Sequence, residues 1–393
     1  MGVKEESLKL HKDYTGILEI KGDIDIKDKH DLSIAYTPGV AEPCREIAKN
    51  KDKAYEYTIK GKTIAIITDG TAVLGLGDIG AEAGLPVIEG KALLLREFGG
   101  VNAFPLCLGT NDPDEIVNTI VNISGGFAGI HLEDIKAPKC FYIEDELKKK
   151  LDIPVYHDDQ HGTAIATLAG LYNALRIVKK DIKNVKILIN GAGASGIAIA
   201  KLLMLAGAKN VVLSDINGAV VEGDTSLNIA QEEISKVTNR SFEKGNLKEV
   251  IKGKDVFIGV SVSNVLTKEM VSTMNKDAIV FALANPIPEI MPLDAKLGGA
   301  RIVATGRGDF PNQINNLLVF PGIFKGVLSV HATEINDEMK LEAARNLSKL
   351  VTLKELNEKF IIPDVFDKRV VDTVSNSVEN IAKKMNLIKN IAI

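Results

Sequence analysis

The sequence has few cysteines and no long apolar run. Its three cysteines, Cys44, Cys107 and Cys140, form no C-x-x-C pair, and an odd count without metal-ligand spacing is typical of a reducing cytoplasm. We interpret them as small buried side chains. The longest segment without a charged residue, 116–132, contains polar residues and is shorter than the roughly 20 residues of a membrane-spanning helix. The first residues do not resemble a secretory signal peptide, so we expect a cytoplasmic protein.

The sequence also lacks an excess of basic residues. Lysine and arginine number 48 against 52 acidic residues, which gives a net charge of -4, and no basic block is interleaved with aromatic residues. We therefore expect neither a nucleic-acid partner nor a membrane surface. With 393 residues, 45% of them hydrophobic, the chain is long enough for two domains of about 100 to 200 residues each.

Short apolar runs alternate with helical patterns along most of the chain. Runs such as TIAIITDG, GIHLEDI and IPVYHDD precede residue 160, and VKILING, NVVLSD and AIVFALANP follow it. Strands that are apolar on both faces indicate a parallel sheet covered by helices on both sides. We predict an α/β fold with an N-terminal α/β catalytic domain at 1–159, a Rossmann-type doubly wound domain at 160–336, and a helical C-terminal segment at 337–393 that packs on both.

A G-x-G-x-x-G turn indicates a dinucleotide site. Gly191, Gly193 and Gly196 follow the run VKILIN and open a helical pattern, and the next apolar run ends in Asp215. Such a turn presents backbone amides to a pyrophosphate, and the acid accepts hydrogen bonds from a ribose. The predicted cofactor-binding residues are the turn and the acid: Gly191, Ala192, Gly193, Ala194, Ser195, Gly196 and Asp215.

Asp215 favours NAD over NADP, because a carboxylate repels a 2′-phosphate, although a neighbouring basic residue can reverse this preference. The alternative without a functional role is that the turn belongs to a doubly wound domain that binds no nucleotide. A second match, at Gly75, Gly77 and Gly80, is not followed by a strand that ends in an acid. We interpret it as a loop that lines another part of the site.

Two pairs of acids fall where predicted strands end. Glu133 and Asp134 follow one run, and Asp158 and Asp159 follow another. Carboxylates gathered at one sheet edge repel each other unless a cation lies between them, and an all-oxygen set suits Mg²⁺ or Mn²⁺. Adjacent residues on a strand point to opposite faces, so Glu133 and Asp134 converge only if the strand breaks there. The alternatives are a solvated strand end for the first pair and helix capping for the second.

One lysine falls on an apolar helix face. Helical spacing over 85–98 puts five apolar side chains on this face: Val87, Ile88, Leu94, Leu95 and Phe98. Lys91 lies on the same face. It either snorkels past its neighbours into water or is held in a desolvated cleft, where a lowered pKa would make it a general base.

Seven stretches, in order between about residues 33 and 330, resemble malic enzyme in its short, prokaryotic-type form. They are SIAYTPGVAEPC, TDGTAVLGLGDIGAEAGLPVIEGKALLL, HLEDI, HDDQHGTAIATLAG, NGAGASGIAIA, ALANPIPE and INNLLVFPGIFKG. The resemblance implies oxidative decarboxylation of (S)-malate to pyruvate and CO₂, with NAD or NADP, a divalent cation and a homodimeric assembly.

The resemblance also implies roles for individual residues. Tyr36 would be the acid that protonates the enolate, Lys91 the base that takes the malate hydroxyl proton, and Asp158 the residue that orients or tunes Lys91. The metal ligands would be Glu133, Asp134 and Asp159. Asn285 and Asn315 would contact malate and the nicotinamide ribose.

The sequence departs from the family pattern at one point. Longer members carry an arginine shortly before LGLGD that binds a malate carboxylate, whereas this chain has Thr71 and Ala72. Amides of the loop 75–80 or a basic residue such as Arg45 are candidates to replace it. Two other functions stay open at this point: a non-decarboxylating dehydrogenase of 2-hydroxy acids or amino acids, and a nucleotide-sensing regulator without turnover.

Overall fold

The structure is a computed structural model that describes residues 2–73 and 75–391. Its strands are β1 (Thr63–Thr68), β2 (Asn102–Cys107), β3 (Ile130–Leu132), β4 (Val155–His157), β5 (Lys186–Asn190), β6 (Asn210–Asp215), β7 (Gly218–Ala219), β8 (Val256–Gly259), β9 (Ala278–Ala282) and β10 (Ala300–Thr305). Every strand predicted from an apolar run is confirmed. The two-residue strand β7 was not predicted, because it is too short to produce a periodic pattern.

The first sheet has the order β2-β1-β3-β4, and all of its strands are parallel. The central strand β1 is buried along its whole length. Ile64 and Ile66 point into one hydrophobic core, and Ala65 and Ile67 point into another on the opposite face. Both faces are therefore covered, as the continuous apolar run predicted.

The second sheet has the order β10-β9-β8-β5-β6-β7. Only β7 is antiparallel, to β6. Side chains again alternate between two cores, with Ile187 and Ile189 of β5 in the larger one and Leu188 in the smaller one. The strand order reverses beside β5, which is the point where an open α/β sheet binds its ligand.

The helices cover both faces of these sheets. They are α1 (Val3–Tyr14), α2 (Lys29–Ala35), α3 (Ala41–Lys49), α4 (Ala54–Tyr57), α5 (Ala81–Gly99), α6 (Pro113–Ile123), α7 (Lys139–Lys150), α8 (Asp158–Val178), α9 (Ala194–Leu205), α10 (Ile229–Ser235), α11 (Leu247–Val250), α12 (Lys268–Ser272), α13 (Pro292–Leu297), α14 (Phe320–Ser329), α15 (Asp337–Lys349) and α16 (Arg369–Lys384).

Helix α8 connects the two sheets. It begins at Asp158, directly after β4, and it ends before Lys179, whose φ is 55°. Most of its residues are buried, because it packs against both halves of the molecule. Helices α14, α15 and α16 share this core with residues of β1 and β5. The C-terminal helices are thus part of the main core, and Pro363 lies between α15 and α16.

The first 62 residues differ from the rest, since none of those described is buried. Cys44 lies in this region and is exposed, Cys107 is partly buried, and Cys140 is fully buried. Our interpretation of the cysteines as buried is therefore wrong for Cys44. Among the described residues, no helix combines the length and the apolar character needed to cross a bilayer.

Helices α14 and α16 approach so closely that only glycine fits between them. A Cβ added to Gly322 would lie 2.6 Å from Cβ of Val374, whereas a Cβ added to Gly90 on α5 meets nothing within 4 Å. We predict that Gly322→Ala lowers the free energy of unfolding by about 1 to 3 kcal/mol, because the helices must separate. The matched change Gly90→Ala should raise it by about 0.5 to 1 kcal/mol, because alanine restricts the unfolded chain. Urea denaturation midpoints at equal protein concentration test both, and equal midpoints for the two variants would contradict the packing argument.

Candidate active site

Buried acids gather at the carboxyl edge of the first sheet. Strand β3 ends at Leu132, and both Glu133 and Asp134 follow it with 3% of their surface exposed. Asp134 has a φ of 54°, in the left-handed region. We predicted that the two carboxylates converge only if the strand breaks here, and this break is confirmed. The backbone turn lets the two successive side chains face the same side.

Three of these acids form an oxygen cluster. Glu133, Asp134 and Asp159 each offer one carboxylate oxygen, and the three oxygens lie within 4.8 Å of one another. The backbone N–H of Asp134 donates to Oδ2 of Asp159 over 2.9 Å, which ties the end of β3 to the start of α8. Carboxylate oxygens at this spacing are suitable ligands for Mg²⁺ or Mn²⁺.

A second set of potential ligands is His131, Glu133 and Asp158. The ammonium of Lys91 already lies between two of its members, 2.7 Å from Oε2 of Glu133 and in an ion pair with Asp158. A cation bound by this second set would be repelled by the ammonium of Lys91. The all-oxygen cluster is therefore the set of residues that fits a metal. Burial lowers the pKa of His131 to about 3, which keeps its ring neutral beside Glu133.

Lys91 projects from α5 into this group of acids and is 9% exposed. Ile88 and Leu95 on the same helix face are fully buried, as predicted, and the ammonium lies 4.9 Å from the ring centre of Phe320. The snorkelling alternative is therefore wrong. The expected lowering of the pKa is also wrong for this arrangement: burial lowers the pKa of Lys91, but the charges of Asp158 and Glu133 outweigh burial and raise it above its usual value.

Asp158 and Asp159 lie in the first turn of α8 rather than at its N-cap, which is His157. The capping alternative for this pair is thus wrong. Burial raises the pKa of both carboxyls, and the charge of Glu133 adds to the rise. Lys91 opposes the shift without cancelling it. More negative charge is therefore buried here than one ammonium compensates, which is the electrostatic condition of a cation site.

Glu144 on α7 was not predicted from the sequence, and its side chain binds the start of α8. Its buried carboxylate accepts from Nε2 of Gln160 over 2.9 Å and lies 2.6 Å from Nε2 of His161 and from Nζ of Lys148. Helical spacing could have revealed it, because Glu144 falls on the same buried face as Cys140 and Leu147. His161 therefore contacts Glu144 and supports the start of α8.

The turn 191–196 has the geometry of a dinucleotide-binding loop. Gly191 has a φ of 121°, and a Cβ on Gly196 would lie 1.7 Å from the carbonyl oxygen of Gly191. Gly193 is the N-cap of α9, and a Cβ there meets nothing within 4 Å, so the side that a pyrophosphate approaches is open. Ser195 Oγ donates to the backbone oxygen of Asp159 over 2.8 Å, which brings the turn and the acidic cluster together.

Asp215 ends β6 at the same edge of the sheet. Its Oδ1 accepts from the N–H of Asn217 over 2.8 Å, and its Oδ2 accepts from Nε2 of Gln231 over 3.1 Å. Gln231 was missed because only the fold brings α10 to the end of β6. The next residue, Ile216, is 99% exposed and supplies no positive charge to this carboxylate.

The second glycine-rich segment is a loop against the cofactor half, consistent with our interpretation. Gly75, Gly77 and Gly80 all have positive φ. A Cβ on Gly75 would lie 2.5 Å from the backbone oxygen of Asn285. The loop therefore lies against the segment that carries one of the predicted malate contacts.

Three other predicted residues are Tyr36, Asn315 and Arg45. Tyr36 directly follows α2 and is 66% exposed. Asn315 uses its Oδ1 to accept from the N–H of Leu317 over 2.8 Å. Arg45 is exposed and pairs with Glu42 on its own helix. Their proposed roles toward malate stay predictions.

Thr71, one of the two residues that stand where longer family members carry the arginine, binds other parts of the chain. The hydroxyl of Thr71 donates to Oδ1 of Asp69 over 2.6 Å and accepts from the N–H of Lys136 over 3.0 Å. Asp69 in turn pairs with Lys139 over 2.5 Å. These contacts fix the loop after β1 against the loop after β3.

Comparison with known proteins agrees with this geometry. Residues 19–148 match the malic enzyme N-terminal domain, and residues 160–385 match the malic enzyme NAD-binding domain. The chain is 53% identical to the bifunctional malic/malolactic enzyme of Bacillus subtilis, over 99% of this chain and 95% of that protein. It is 52% identical to the NAD-dependent malic enzyme of Geobacillus stearothermophilus, over 95% of this chain and 78% of that one.

The fold agrees as well. The crystal structure of malic enzyme from Pyrococcus horikoshii superposes with a TM-score of 0.94 at 43% identity, over 100% of this chain and 93% of that one. Three findings agree: the two domain matches together span most of the chain, two relatives are more than 50% identical to it, and the superposition covers its full length. The chain belongs to the malic enzyme family.

Proposed function

We propose that the acidic cluster, Lys91 and the turn 191–196 together carry the oxidative decarboxylation of (S)-malate to pyruvate and CO₂ that defines a malic enzyme. The observation that carries this assignment of residues is the oxygen cluster of Glu133, Asp134 and Asp159, which lies beside a buried lysine and is joined to the dinucleotide turn by Ser195. A non-decarboxylating dehydrogenase needs no such cluster, so this alternative is not favoured.

The oxygen cluster supplies the metal site of this proposal. Bound at Glu133, Asp134 and Asp159, Mg²⁺ or Mn²⁺ provides a Lewis acid for the malate oxygens, and bound NAD(P)⁺ provides the hydride acceptor. Lys91 pairs with Oε2 of Glu133 and with Asp158, and Glu133 has a second carboxylate oxygen to offer a cation.

Lys91 acts as the base in this proposal. Its nitrogen is held beside Asp158 and over the ring of Phe320, in a position to take the proton of the substrate hydroxyl as the hydride leaves. The charges of Asp158 and Glu133 raise the pKa of Lys91. A cation held by Glu133 would offset part of this charge and lower the pKa, so that more of the amine is neutral and able to accept a proton. Tyr36 then returns a proton to the enolate carbon after CO₂ has left.

We infer that NAD is preferred over NADP. Asp215 is held by Asn217 and Gln231 at the end of β6, where a carboxylate accepts from a ribose hydroxyl and repels a phosphate. We also place the protein in the cytoplasm, since its three cysteines are free and free thiols persist in reducing compartments.

We further infer a homodimer. The first 40 residues expose many large apolar side chains, among them Val3, Leu8, Tyr14, Ile20, Ile24 and Ile34. A monomer rarely leaves so many apolar side chains in water. Tyr36 stands in this segment, and a second copy that covers the segment would enclose it. The predicted acid would then lie at a subunit boundary.

Product analysis tests the reaction. With malate, NAD⁺ and Mn²⁺ we expect NADH and pyruvate in equal amounts, because one cluster serves both oxidation and loss of CO₂. EDTA should abolish both products and added Mn²⁺ should restore them. Lactate should be assayed in parallel, since the Bacillus subtilis relative is named for a second, malolactic activity. NADH without pyruvate, or full activity in EDTA, would contradict the assignment.

Replacing the base tests Lys91. Lys91→Ala should lower kcat by about 10² to 10⁴-fold, the usual contribution of a positioned general base, while the Kd for NADH stays within about twofold of wild type. Lys254→Ala is the matched control, because Lys254 is a buried lysine that pairs with Glu243 in the other half of the molecule. It should lower the thermal midpoint and leave kcat nearly unchanged. A Lys91→Ala kcat within tenfold of wild type would exclude the base role.

Sedimentation tests the homodimer. The wild type should sediment at twice the chain mass of 42.3 kDa, and Ile34→Asp should shift it toward the monomer, because a charge on the proposed interface must be desolvated. Leu353 is 81% exposed on the C-terminal part of the chain, and Leu353→Asp is the control that should not shift the mass. A monomeric wild type would contradict the inference.

A further inference from the structure

A buried carboxylate lies beneath the cofactor edge of the second sheet. Glu289 follows β9 in the chain and is fully buried. Its Oε1 accepts from the N–H of Ser261 over 2.9 Å, and its Oε2 accepts from the N–H of Ala284 over 3.1 Å. Burial raises the pKa of Glu289, although these amides stabilise its charged form. The carboxylate thus joins the loop after β8 to the loop after β9.

The strand next to it is shaped around this carboxylate. A Cβ on Gly259, the last residue of β8, would lie 2.4 Å from Cδ of Glu289. The backbone oxygen of Glu289 accepts from the N–H of Leu266 over 3.0 Å, which fixes the main chain as well as the side chain. Glu289 therefore has a single place against the sheet edge.

The hydrogen bonds continue across the sheet. Ser261 Oγ accepts from Nδ2 of Asn190 over 2.7 Å, and Oδ1 of Asn190 accepts from Oγ of Ser214 over 3.0 Å. Because β9, β8, β5 and β6 are neighbours in this order, the line crosses the carboxyl ends of four adjacent strands.

Three members of this line immediately precede a predicted cofactor-binding residue. The pairs are Ser214 with Asp215, Asn190 with Gly191, and Ala284 with Asn285. We propose that Glu289 is a positioning residue for the dinucleotide. Through the line of hydrogen bonds, it fixes the positions of these strand ends relative to one another. This role rests on the proposed function, since it assumes that this edge binds the cofactor.

A carboxylate is needed at this position because two N–H donors converge on it. A glutamine has one acceptor oxygen, and its NH₂ group would oppose the second N–H. Glu289→Gln therefore leaves one buried donor without an acceptor, and one loop must move. Ser261→Ala is a milder change, because it keeps the backbone N–H that faces Glu289 and removes only the hydroxyl, which accepts from Asn190 and also bonds to Glu289.

The opposite edge of the same sheet offers a matched control. Asp255 immediately precedes β8, and its carboxylate accepts from the N–H of Lys186 over 2.8 Å and from Nδ2 of Asn275 over 3.0 Å. It also pairs with Lys180 over 2.8 Å. Asp255 thus joins strand β5 to the start of β8, in the same way that Glu289 joins two loops. It lies at the amino edge of the sheet, away from the predicted cofactor residues.

The experiment measures the Kd for NADH by its fluorescence on binding, in full-length wild type, Glu289→Gln, Ser261→Ala and Asp255→Asn, together with kcat and the KM for NAD⁺. We expect Glu289→Gln to raise the Kd and the KM about tenfold and Ser261→Ala about threefold. Asp255→Asn should lower the thermal midpoint and leave the Kd within twofold of wild type.

A Kd for Glu289→Gln within twofold of wild type would overturn the proposal, and so would an equal rise in Asp255→Asn. If Glu289→Gln does not fold, Ser261→Ala decides alone, and an unchanged Kd in that variant overturns the proposal. A wild type that binds NADH but makes no pyruvate from malate contradicts the proposed function and leaves the role of Glu289 standing.

Discussion

The active site is organised around an imbalance of buried charge. Glu133, Asp134, Asp158 and Asp159 meet at one sheet edge, and one ammonium, that of Lys91, lies between two of them. The amino end of α8 stabilises Asp158 and Asp159 further, because its free N–H groups carry partial positive charge. Neither contribution matches the buried negative charge, and an unpaired charge in the interior costs several kcal/mol. A cation bound by these acids, as we propose, would offset the excess of negative charge.

The parts of this arrangement that depend on local sequence could be predicted. Buried parallel strands produce continuous apolar runs, so the ends of β3, β4 and β6 were located within a residue or two, and the acids at those ends with them. The turn 191–196 was recognisable because its glycines serve local needs: a positive φ at Gly191 and close packing at Gly196. Such constraints involve neighbours in the chain, and a sequence records them directly.

The parts that depend on distant contacts could not be predicted. Helical spacing put Lys91 on a buried face, but which groups surround its nitrogen depends on Asp158, 67 positions away in the chain. Helical spacing therefore left the burial of Lys91 open between two alternatives, and the predicted sign of its pKa shift was wrong. Tyr36 was recognised only by its motif, and α2, which it directly follows, has no buried residue. In the homodimer that we propose, a partner subunit would determine its surroundings. Gln231 was missed for the same reason, since only the fold brings it to Asp215. The buried position of Glu144 could have been predicted from helical spacing, but its partners on α8 could not.

The two halves of the site are held together mainly through backbone atoms. Ser195 donates to the backbone oxygen of Asp159, and the loop at Gly75 lies against the backbone oxygen of Asn285. Hydride transfer requires the reacting carbons to approach within about 3 to 3.5 Å, so its rate depends on how one sheet edge is placed relative to the other. That placement is set beneath the cleft, by carboxylates such as Glu144 at the start of α8 and Glu289 at the ends of β8 and β9. A buried residue that shifts either edge by a fraction of an ångström therefore impairs the reaction through geometry, even when every group that touches the substrate is intact.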